Sequence, residues 1–169
     1  MRMSYENLMI REGSMLSIRP ALSEDEPFLF QLFEESRKQE FLNTGWPEEQ
    51  MSSFLHMQFE AQKRSYQLQN PSAAHEIIIY RQNRIGRLIT DITDSSIHIL
   101  DLTLSGKCRN RGFGASLLEG LQQAAVTTGR NVTLHVFETN SAQNLYLRLG
   151  FRITRSETPY VRMEWQPHS

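Results

Sequence analysis

The sequence predicts one mixed α/β domain in which a single sheet carries helices on both faces. Two amphipathic helical segments come early in the chain, a meander of three short strands rich in Ile and Leu follows, and a strand-helix-strand unit comes next. A meander is antiparallel, whereas a strand-helix-strand crossover leaves its two strands parallel. The predicted order β-α-α-β-β-β-α-β-α-β-β therefore requires a mixed sheet.

The length of 169 residues suits one domain, and no internal repeat or linker divides the chain. The first convincing strand, LSIRP, begins after Met15. We therefore assign residues 1–14 to an N-terminal extension of uncertain role, which could also reflect an upstream start. Residues 15–169 are assigned to a single domain.

Two helices are predicted after the first strand. In SEDEPFLFQLFEESRKQEF, Ser23 and Glu26 have the spacing of a capping box, and the apolar residues recur at helical spacing. In WPEEQMSSFLHMQFEAQKRSYQLQ, Pro47 suits a first helical position and the apolar residues form one stripe. Both segments are long enough to cover part of a sheet.

The rest of the chain alternates strands with helices. HEIIIYR, RIGRLITDI and SSIHILDLTL are predicted strands, separated by the turn formers Gln82-Asn83 and Asp94-Ser95. A helix near 112–128 ends at Gly129, and the strand NVTLHVF follows it. A short helix, SAQNLYLRLG, and two strands, FRITR and YVRMEW, complete the domain.

The composition argues against several classes of function. The formal net charge is −1 and Cys108 is the single cysteine, so we expect no general nucleic-acid surface and no internal disulfide. The five histidines lie too far apart for a local metal motif, so we expect no metal. No apolar run approaches the roughly 20 residues of a membrane span, and the first residues lack a signal-peptide core. We expect a cytoplasmic protein that does not bind membranes.

The stretch RNRGFG, which begins at Arg109, joins a predicted strand to a predicted helix. The first N–H groups of a helix have no partner within it, and the helix dipole adds partial positive charge, so the turn favours an anion. Gly112 and Gly114 let the backbone approach a ligand and adopt a positive φ. Lys107, Arg109 and Arg111 add three cations within five residues. The turn suits a pyrophosphate, although two glycines could also only turn the chain.

Two common phosphate loops do not fit this turn. The motif G-x-x-x-x-G-K-[ST] is absent, and the third glycine of G-x-G-x-x-G falls on Leu117. The pattern R-x-x-G-x-G after a strand resembles instead the acyl-CoA-binding motif of the GNAT family of N-acetyltransferases, Q/R-x-x-G-x-G/A. NSAQNLYLRLGF, residues 140–151, is similar to a later motif of that family. The resemblance covers about residues 15–166 and implies a GNAT-like fold.

The resemblance implies that acetyl-CoA is a co-substrate. Its pyrophosphate would lie on the amides of the turn, and its pantetheine arm would run beside the fourth strand, facing the backbone of Leu102 and Leu104. The main-chain N–H of Leu104 is the implied oxyanion donor. Asn140 is an implied cofactor contact, although an Asn before a helix is also an ordinary N-cap. The implied turn contacts are Arg109, Asn110, Arg111, Gly112, Phe113 and Gly114.

The same resemblance implies direct acetyl transfer from the thioester to a primary amine. Tyr146 occupies the position of the family's usual acid, which protonates the departing thiolate. The resemblance also implies that Tyr146 contacts the cofactor. A tyrosine pKa of about 10 lies above a thiol pKa of about 8.5, so the site must narrow that gap. The alternative is a tyrosine that only packs on the core.

The sequence does not decide which residue acts as the general base. Asp101 and Glu138 are the carboxylates nearest in sequence to the expected reaction centre, and each could act directly or through water. Either could instead be a solvated charge at a strand end. His98 and His135 could also serve, but on such apolar strands we expect packed, hydrogen-bonded histidines. Cys108 is assigned no catalytic role.

We predict an acetyl-CoA-dependent N-acetyltransferase whose acceptor is a primary amine of a small molecule or a peptide. The rival is a non-catalytic acyl-CoA-binding regulatory module. The resemblance places acceptor selection in about residues 28–60. The aromatic residues Phe41, Trp46 and Phe54 and the acidic pairs Glu34-Glu35 and Glu48-Glu49 could shape an amine cleft, or they could pack the core and form solvated faces. The sequence leaves the acceptor, the acyl chain and the oligomeric state open, and a homodimer is one possible form.

Overall fold

The computed structural model describes residues 16–41 and 44–168. The extension predicted for residues 1–14 lies outside the described residues. Within the described residues the strands are β1 Leu16–Pro20, β2 Ala74–Tyr80, β3 Asn83–Ile92, β4 Ser96–Leu104, β5 Asn131–Phe137, β6 Arg152–Glu157 and β7 Tyr160–Trp165. The α-helices are α1 Glu26–Phe41, α2 Glu48–Gln69, α3 Phe113–Thr128 and α4 Gln143–Arg148.

The strands form one mixed sheet in the order β1-β2-β3-β4-β5-β7-β6. The meander β2-β3-β4 is antiparallel, and β4 and β5 are parallel, as the crossover through α3 requires. All other neighbouring strands pair antiparallel. The fold class and the order of elements predicted from the sequence are confirmed.

The helices cover both faces of the sheet. Leu88 of β3 belongs to the core cluster that contains the buried side chains of α3, such as Leu117 and Leu121. Its neighbour Arg87 instead hydrogen-bonds Gln62 of α2, at 3.2 Å. Because successive side chains of a strand point to opposite faces, α3 and α2 lie on opposite sides of the sheet.

The start of α1 differs from the prediction. The capping box of Ser23 and Glu26 does not form, because a 3-10 turn begins at Ser23 and the α-helix begins only at Glu26. The buried carboxylate of Asp25 accepts the Leu22 N–H at 2.8 Å and pairs with Arg19 at 2.7 Å. Asp25, rather than Ser23, therefore supplies the side-chain acceptor for a backbone N–H at the start of this helical segment.

The pairing of β4 with β5 stops halfway along both strands. The two strands are in register from Ser96 opposite Asn131 to Ile99 opposite Leu134. Beyond these residues β4 stays paired with β3, and β5 stays paired with β7. The strands therefore diverge at the carboxyl end of the parallel pair, where the sheet opens next to the turn that leads into α3.

Candidate active site

A backbone edge of β4 faces the opening between β4 and β5. The Ser105 N–H donates to the Ile85 carbonyl oxygen on β3, at 2.8 Å. Backbone groups of successive strand residues point to opposite edges, so those of Leu104 and Leu102 point away from β3, towards the side that β5 leaves. This orientation suits the predicted pantetheine contacts and the predicted oxyanion donor, Leu104, which stay predictions.

The turn before α3 presents unbonded amides. Among the described residues, no hydrogen-bond acceptor contacts the backbone N–H groups of 109–115. Gly112 precedes α3 with φ +82° and ψ 2°, and a side chain at this position would meet open space. Asn110 also has a positive φ, +60°, which asparagine tolerates better than most residues. The turn thus exposes a run of N–H groups beside the opening of the sheet.

The second glycine of the turn has a different role from the predicted one. Gly114 lies inside α3 and is not among the glycines with a positive φ. A Cβ there would lie 3.6 Å from the Leu145 side chain of α4 and 3.9 Å from that of Leu104. A Cβ at Gly114 would therefore make ordinary van der Waals contacts with α4 and the end of β4, and only Gly112 needs the positive φ.

The cations of the turn are partly fixed by local contacts. The Arg109 Nε donates to the Leu104 carbonyl oxygen at 3.3 Å, and the Arg111 guanidinium lies 5.2 Å from the centre of the Phe113 ring. Phe113 is buried, with its ring 4.6 Å from that of Tyr80, so its side chain belongs to the core. Only the backbone of Phe113 is then free to contact a ligand.

A cleft of about 410 Å³ adjoins the divergent part of β4 and β5, on the face covered by α1 and α2. Tyr146 of α4 lines it, together with the carboxyl end of β4. The other polar side chains that line it are Ser36, Arg37, Gln62, Tyr66, Arg87, Asp101, Thr103, His135, Asn140 and Tyr160. The cleft therefore brings side chains from both ends of the sequence next to the free edge of β4.

Asp101 is the one carboxylate among the described residues that line this cleft. Its Oδ2 accepts two hydrogen bonds from the Arg87 guanidinium, the Nε bond at 3.0 Å, and its Oδ1 accepts the Thr103 hydroxyl at 2.6 Å. Both oxygens are engaged, which leaves fewer lone pairs to accept a proton from an amine. Asp101 is placed to attract an ammonium group, and its role as base stays a prediction.

Tyr146 is placed in the cleft but is less acidic than a free tyrosine. Burial raises the pKa of its hydroxyl, and the charge of Asp101 raises that pKa further. The sequence argument required a smaller difference between the pKa of the tyrosine and that of the thiol. A raised tyrosine pKa makes this difference larger. A thiolate formed in the same buried place beside Asp101 would also have a raised pKa, so the difference between the two groups decides proton transfer. The tyrosine ring also packs 5.7 Å from that of Phe151.

Three other candidates, Glu138, Asn140 and His135, differ in whether they line the cleft. Glu138 is exposed and is not among the residues that line the cleft. Asn140 lines the cleft, and its Oδ1 accepts the Ala142 N–H at 2.9 Å, which is the local capping contact that the sequence allowed. His135 also lines the cleft, where its Nε2 pairs with Glu157 at 3.1 Å.

His98 is a packed histidine, as expected. Its Nδ1 hydrogen-bonds the Thr133 hydroxyl at 2.6 Å, and burial lowers the pKa of the ring, helped by the nearby His135. It does not line the cleft. Cys108 is buried in the main core, away from any catalytic arrangement.

The aromatic residues expected near the acceptor pack on one another instead. The rings of Phe41, Trp46 and Phe54 have centroids 5.5 to 5.9 Å apart, and none of them lines the cleft. Sequence reasoning missed Arg37, Arg87 and Tyr66, which do line it. Arg87 had a detectable signal, because it is a charged residue inside an otherwise apolar predicted strand.

Comparison with known proteins agrees with this architecture of a split parallel strand pair and an amide-lined turn. The model of the acetyltransferase (GNAT) domain matches residues 42–167. The chain therefore belongs to the GNAT family, and its class is that of the N-acetyltransferases, as the sequence resemblance predicted. The comparison with curated proteins gives no significant match.

Solved structures with the same fold are distant in sequence. The PaiA N-acetyltransferase of Thermoplasma acidophilum, solved in complex with coenzyme A, has 20% identity and a TM-score of 0.67, with 90% of this chain and 99% of that chain covered. An acetyltransferase of Thermus thermophilus has 18% identity and a TM-score of 0.66, with 90% and 97% covered. A spermidine N-acetyltransferase SpeG chimera from Vibrio cholerae and hSSAT has 18% identity and a TM-score of 0.63, with 90% and 96% covered.

The described residues lack two further features, a metal-binding cluster and a membrane-spanning helix. They contain no group of three or more His, Cys, Asp or Glu side chains arranged to hold a metal ion. No helix in this part of the chain combines the length and the apolar character needed to cross a membrane.

Proposed function

We propose that this protein transfers an acetyl group from acetyl-CoA to a primary amine of a small molecule or a peptide. The observation that carries the proposal is the run of N–H groups at 109–115, which have no acceptor among the described residues and lie beside the opening of the sheet. Helix N-termini of this kind bind phosphates. The coenzyme A complex of the Thermoplasma relative supports the same ligand.

The residues of the turn fit the pyrophosphate of coenzyme A. Gly112 holds the left-handed conformation that turns successive N–H groups outward, and no Cβ stands over them. Lys107, Arg109 and Arg111 add positive charge within the same turn. The pantetheine arm would then follow the free edge of β4, where the N–H groups of Leu102 and Leu104 point away from β3, while the Leu104 carbonyl oxygen accepts the Arg109 Nε.

The chemistry follows from what faces this edge. Acetyl-CoA supplies a thioester carbonyl, which the neutral amine attacks, so that a carbon–nitrogen bond forms and the carbon–sulfur bond breaks. The Leu104 N–H would donate to the carbonyl oxygen as negative charge develops on it. Tyr146 would give its proton to the departing sulfur, and the surplus proton of the amine would pass to Asp101 or to water.

The engagement of Asp101 bears on which amines can react. A lysine-like amine of pKa about 10.4 costs about 4.6 kcal/mol to deprotonate at pH 7, whereas an α-amine of pKa about 8 costs about 1.4 kcal/mol. A carboxylate whose two oxygens already accept Arg87 and Thr103 has few lone pairs left to take a proton from an amine directly. The proposal therefore favours acceptor amines of lower pKa, because a larger fraction of such an amine is unprotonated at pH 7.

Release of the coenzyme A thiol in the presence of an amine tests the proposal. The expected result is thiol release that depends on both acetyl-CoA and an amine, within a panel of amino acids, amino sugars, polyamines and peptides. The engagement of both Asp101 oxygens is the observation that favours the rival, a non-catalytic module. Calorimetric binding of coenzyme A without thiol release on any amine would establish the rival. A cytoplasmic location stays a prediction from the sequence.

A further inference from the structure

We propose that the acceptor carries an anionic group, a carboxylate or a phosphate, in addition to its amine, and that Arg37 binds this group. The inference rests on the proposed function, because it assigns the acceptor side of the same cleft. It depends on the balance of charges among the side chains that line the cleft and on what each charge already contacts.

The cleft has more positive than negative charge. Its charged side chains are Arg37, Arg87 and Asp101, with His135 paired to Glu157 at the rim. Asp101 is matched by Arg87, which also donates to Gln62 at 3.2 Å. No described carboxylate that lines the cleft balances the positive charge of Arg37. Apolar side chains such as Leu32 and Phe33 also line the cleft.

Glu34 and Glu35, the described acidic side chains of α1 nearest to Arg37 in sequence, form no ion pair with it. Glu34 lines a separate groove between α1 and α2. The carboxylate of Glu35 accepts the Gly106 N–H at 3.0 Å, at the loop that precedes the phosphate-binding turn. Among the described residues, Arg37 has no carboxylate partner.

The position of Arg37 is fixed by the core rather than by an ion pair. Its guanidinium lies 4.7 Å from the centre of the Phe33 ring, and Phe33 is buried. The charge of Arg37 also acts on Tyr66, another side chain of the cleft. Burial and Asp101 raise the pKa of the Tyr66 hydroxyl overall, and Arg87 and Arg37 oppose this increase. A planar guanidinium held in this way can donate two hydrogen bonds to a carboxylate or phosphate.

These charges decide between classes of amine. A polycationic acceptor would bring further positive charge to a cleft whose one carboxylate is already paired, and like charges repel strongly where water is excluded. An amine that carries an anionic group offers complementary charge to Arg37 and brings less net positive charge into the cleft than a polycation. Spermidine, the acceptor of the Vibrio chimera, is therefore not the expected substrate of this chain.

The test compares amines in matched pairs with the full-length protein. The pairs are an α-amino acid against its carboxamide and 2-aminoethyl phosphate against ethanolamine, with spermidine as a polycation. Each kcat/KM is referred to the concentration of unprotonated amine, so that differences in amine pKa do not enter. The expected result is a preference of about tenfold or more for the anionic member of at least one pair, as one charged hydrogen-bonding contact gives. The pair that shows the preference distinguishes carboxylate from phosphate.

Arg37→Gln is expected to raise KM for the preferred amine by about tenfold or more, with kcat and coenzyme A affinity within about twofold of wild type. Arg37→Lys should restore part of the loss, because it keeps the charge without the planar fork. Arg64→Gln is the matched control, since Arg64 is exposed on α2 and does not line the cleft.

Three outcomes would overturn the inference. A wild-type preference for neutral amines or spermidine would do so and would leave the proposed function intact. An anion preference that survives in Arg37→Gln would show that Arg37 is not the contact. Coenzyme A binding without thiol release on any amine would reject the proposed function, and this inference with it.

Discussion

Replacing Gly112 with leucine separates backbone conformation from ligand binding, because the chain contains a matched position. Gly112 and Gly129 bound the two ends of α3, with φ +82° and +68°. At both positions an added Cβ would meet no atom within 4 Å. The left-handed region costs an L-residue about 1–2 kcal/mol, so Gly112→Leu and Gly129→Leu should lose similar stability. In a domain of this size that corresponds to a fall of about 2–8 °C in Tm.

Only Gly112→Leu should weaken coenzyme A binding. The new side chain would stand among the unbonded N–H groups of 109–115, where we place the pyrophosphate. Loss of close approach to these donors should raise the Kd by at least about tenfold, which is about 1.4 kcal/mol. Calorimetry with coenzyme A measures the Kd, and thermal melts of the unliganded variants measure the shared conformational cost.

The comparison of the two variants decides the meaning of any loss. A Gly112→Leu protein that binds coenzyme A as tightly as wild type would refute the amide-lined phosphate site. Equal weakening in Gly129→Leu, at the far end of the helix, would show that binding responds to the stability of α3 rather than to access to the turn.

Three further predictions address the acid, the acid stability of the fold and the pairing of β3 with β4. Tyr146→Phe should lower kcat by about a hundredfold with an unchanged coenzyme A Kd, and unchanged turnover would remove Tyr146 from the mechanism. The Arg19 guanidinium holds the pKa of the buried Asp25 carboxyl below its usual range, so this stabilisation is present at neutral pH and is lost as the pH falls below about 4. Melts of Asp25→Asn from pH 7 to 3 should lack that part of the acid dependence. Gly86→Ala would place a Cβ against the Thr103 carbonyl oxygen, displace β4 and cost about 1–3 kcal/mol, measured by urea unfolding.

The order of elements could be predicted because each element has a strong local pattern. The predicted strand NVTLHVF coincides with β5, Asn131–Phe137, and the predicted stop at Gly129 is the residue that ends α3 with a positive φ. The conformation of the turn that precedes α3 could be predicted for the same reason, since Gly112 has a positive φ that few other residues adopt. Local sequence determines these features, so they need no knowledge of distant contacts.

The divergence of β4 from β5 depends on pairing between strands, which local patterns do not specify. One trace of it is nevertheless present in the sequence. The apolar residues of β4 alternate as Ile97 and Ile99, then change phase at Leu100 to continue as Leu102 and Leu104. The register with β3 shifts at the same place, so this phase change marks a bulge. The sequence analysis treated the strand as uninterrupted.

The side chains of the cleft could be predicted least. Asp101 was a candidate by position alone, but its partner Arg87 lies on the neighbouring strand, and Arg37 and Tyr66 come from two different helices. The relation among these four residues arises only when α1 and α2 pack on the sheet. A residue's type and its place in an element say little about such a relation, and the two hydrogen-bonding partners of Asp101 illustrate this.

The two halves of the site therefore depend on different parts of the chain. The proposed cofactor side consists of main-chain groups, at the turn of 109–115 and the edge of β4, and requires a particular residue mainly at Gly112. The proposed acceptor side consists of side chains, with Asp101 and Arg37 as its principal charges. Substitutions on α1 can thus change the acceptor without disturbing the backbone that would hold coenzyme A. Arg37→Glu should accordingly shift the preference from anionic to cationic amines in the thiol-release assay while the coenzyme A Kd stays constant. A parallel change in coenzyme A affinity would show that the two halves are not independent.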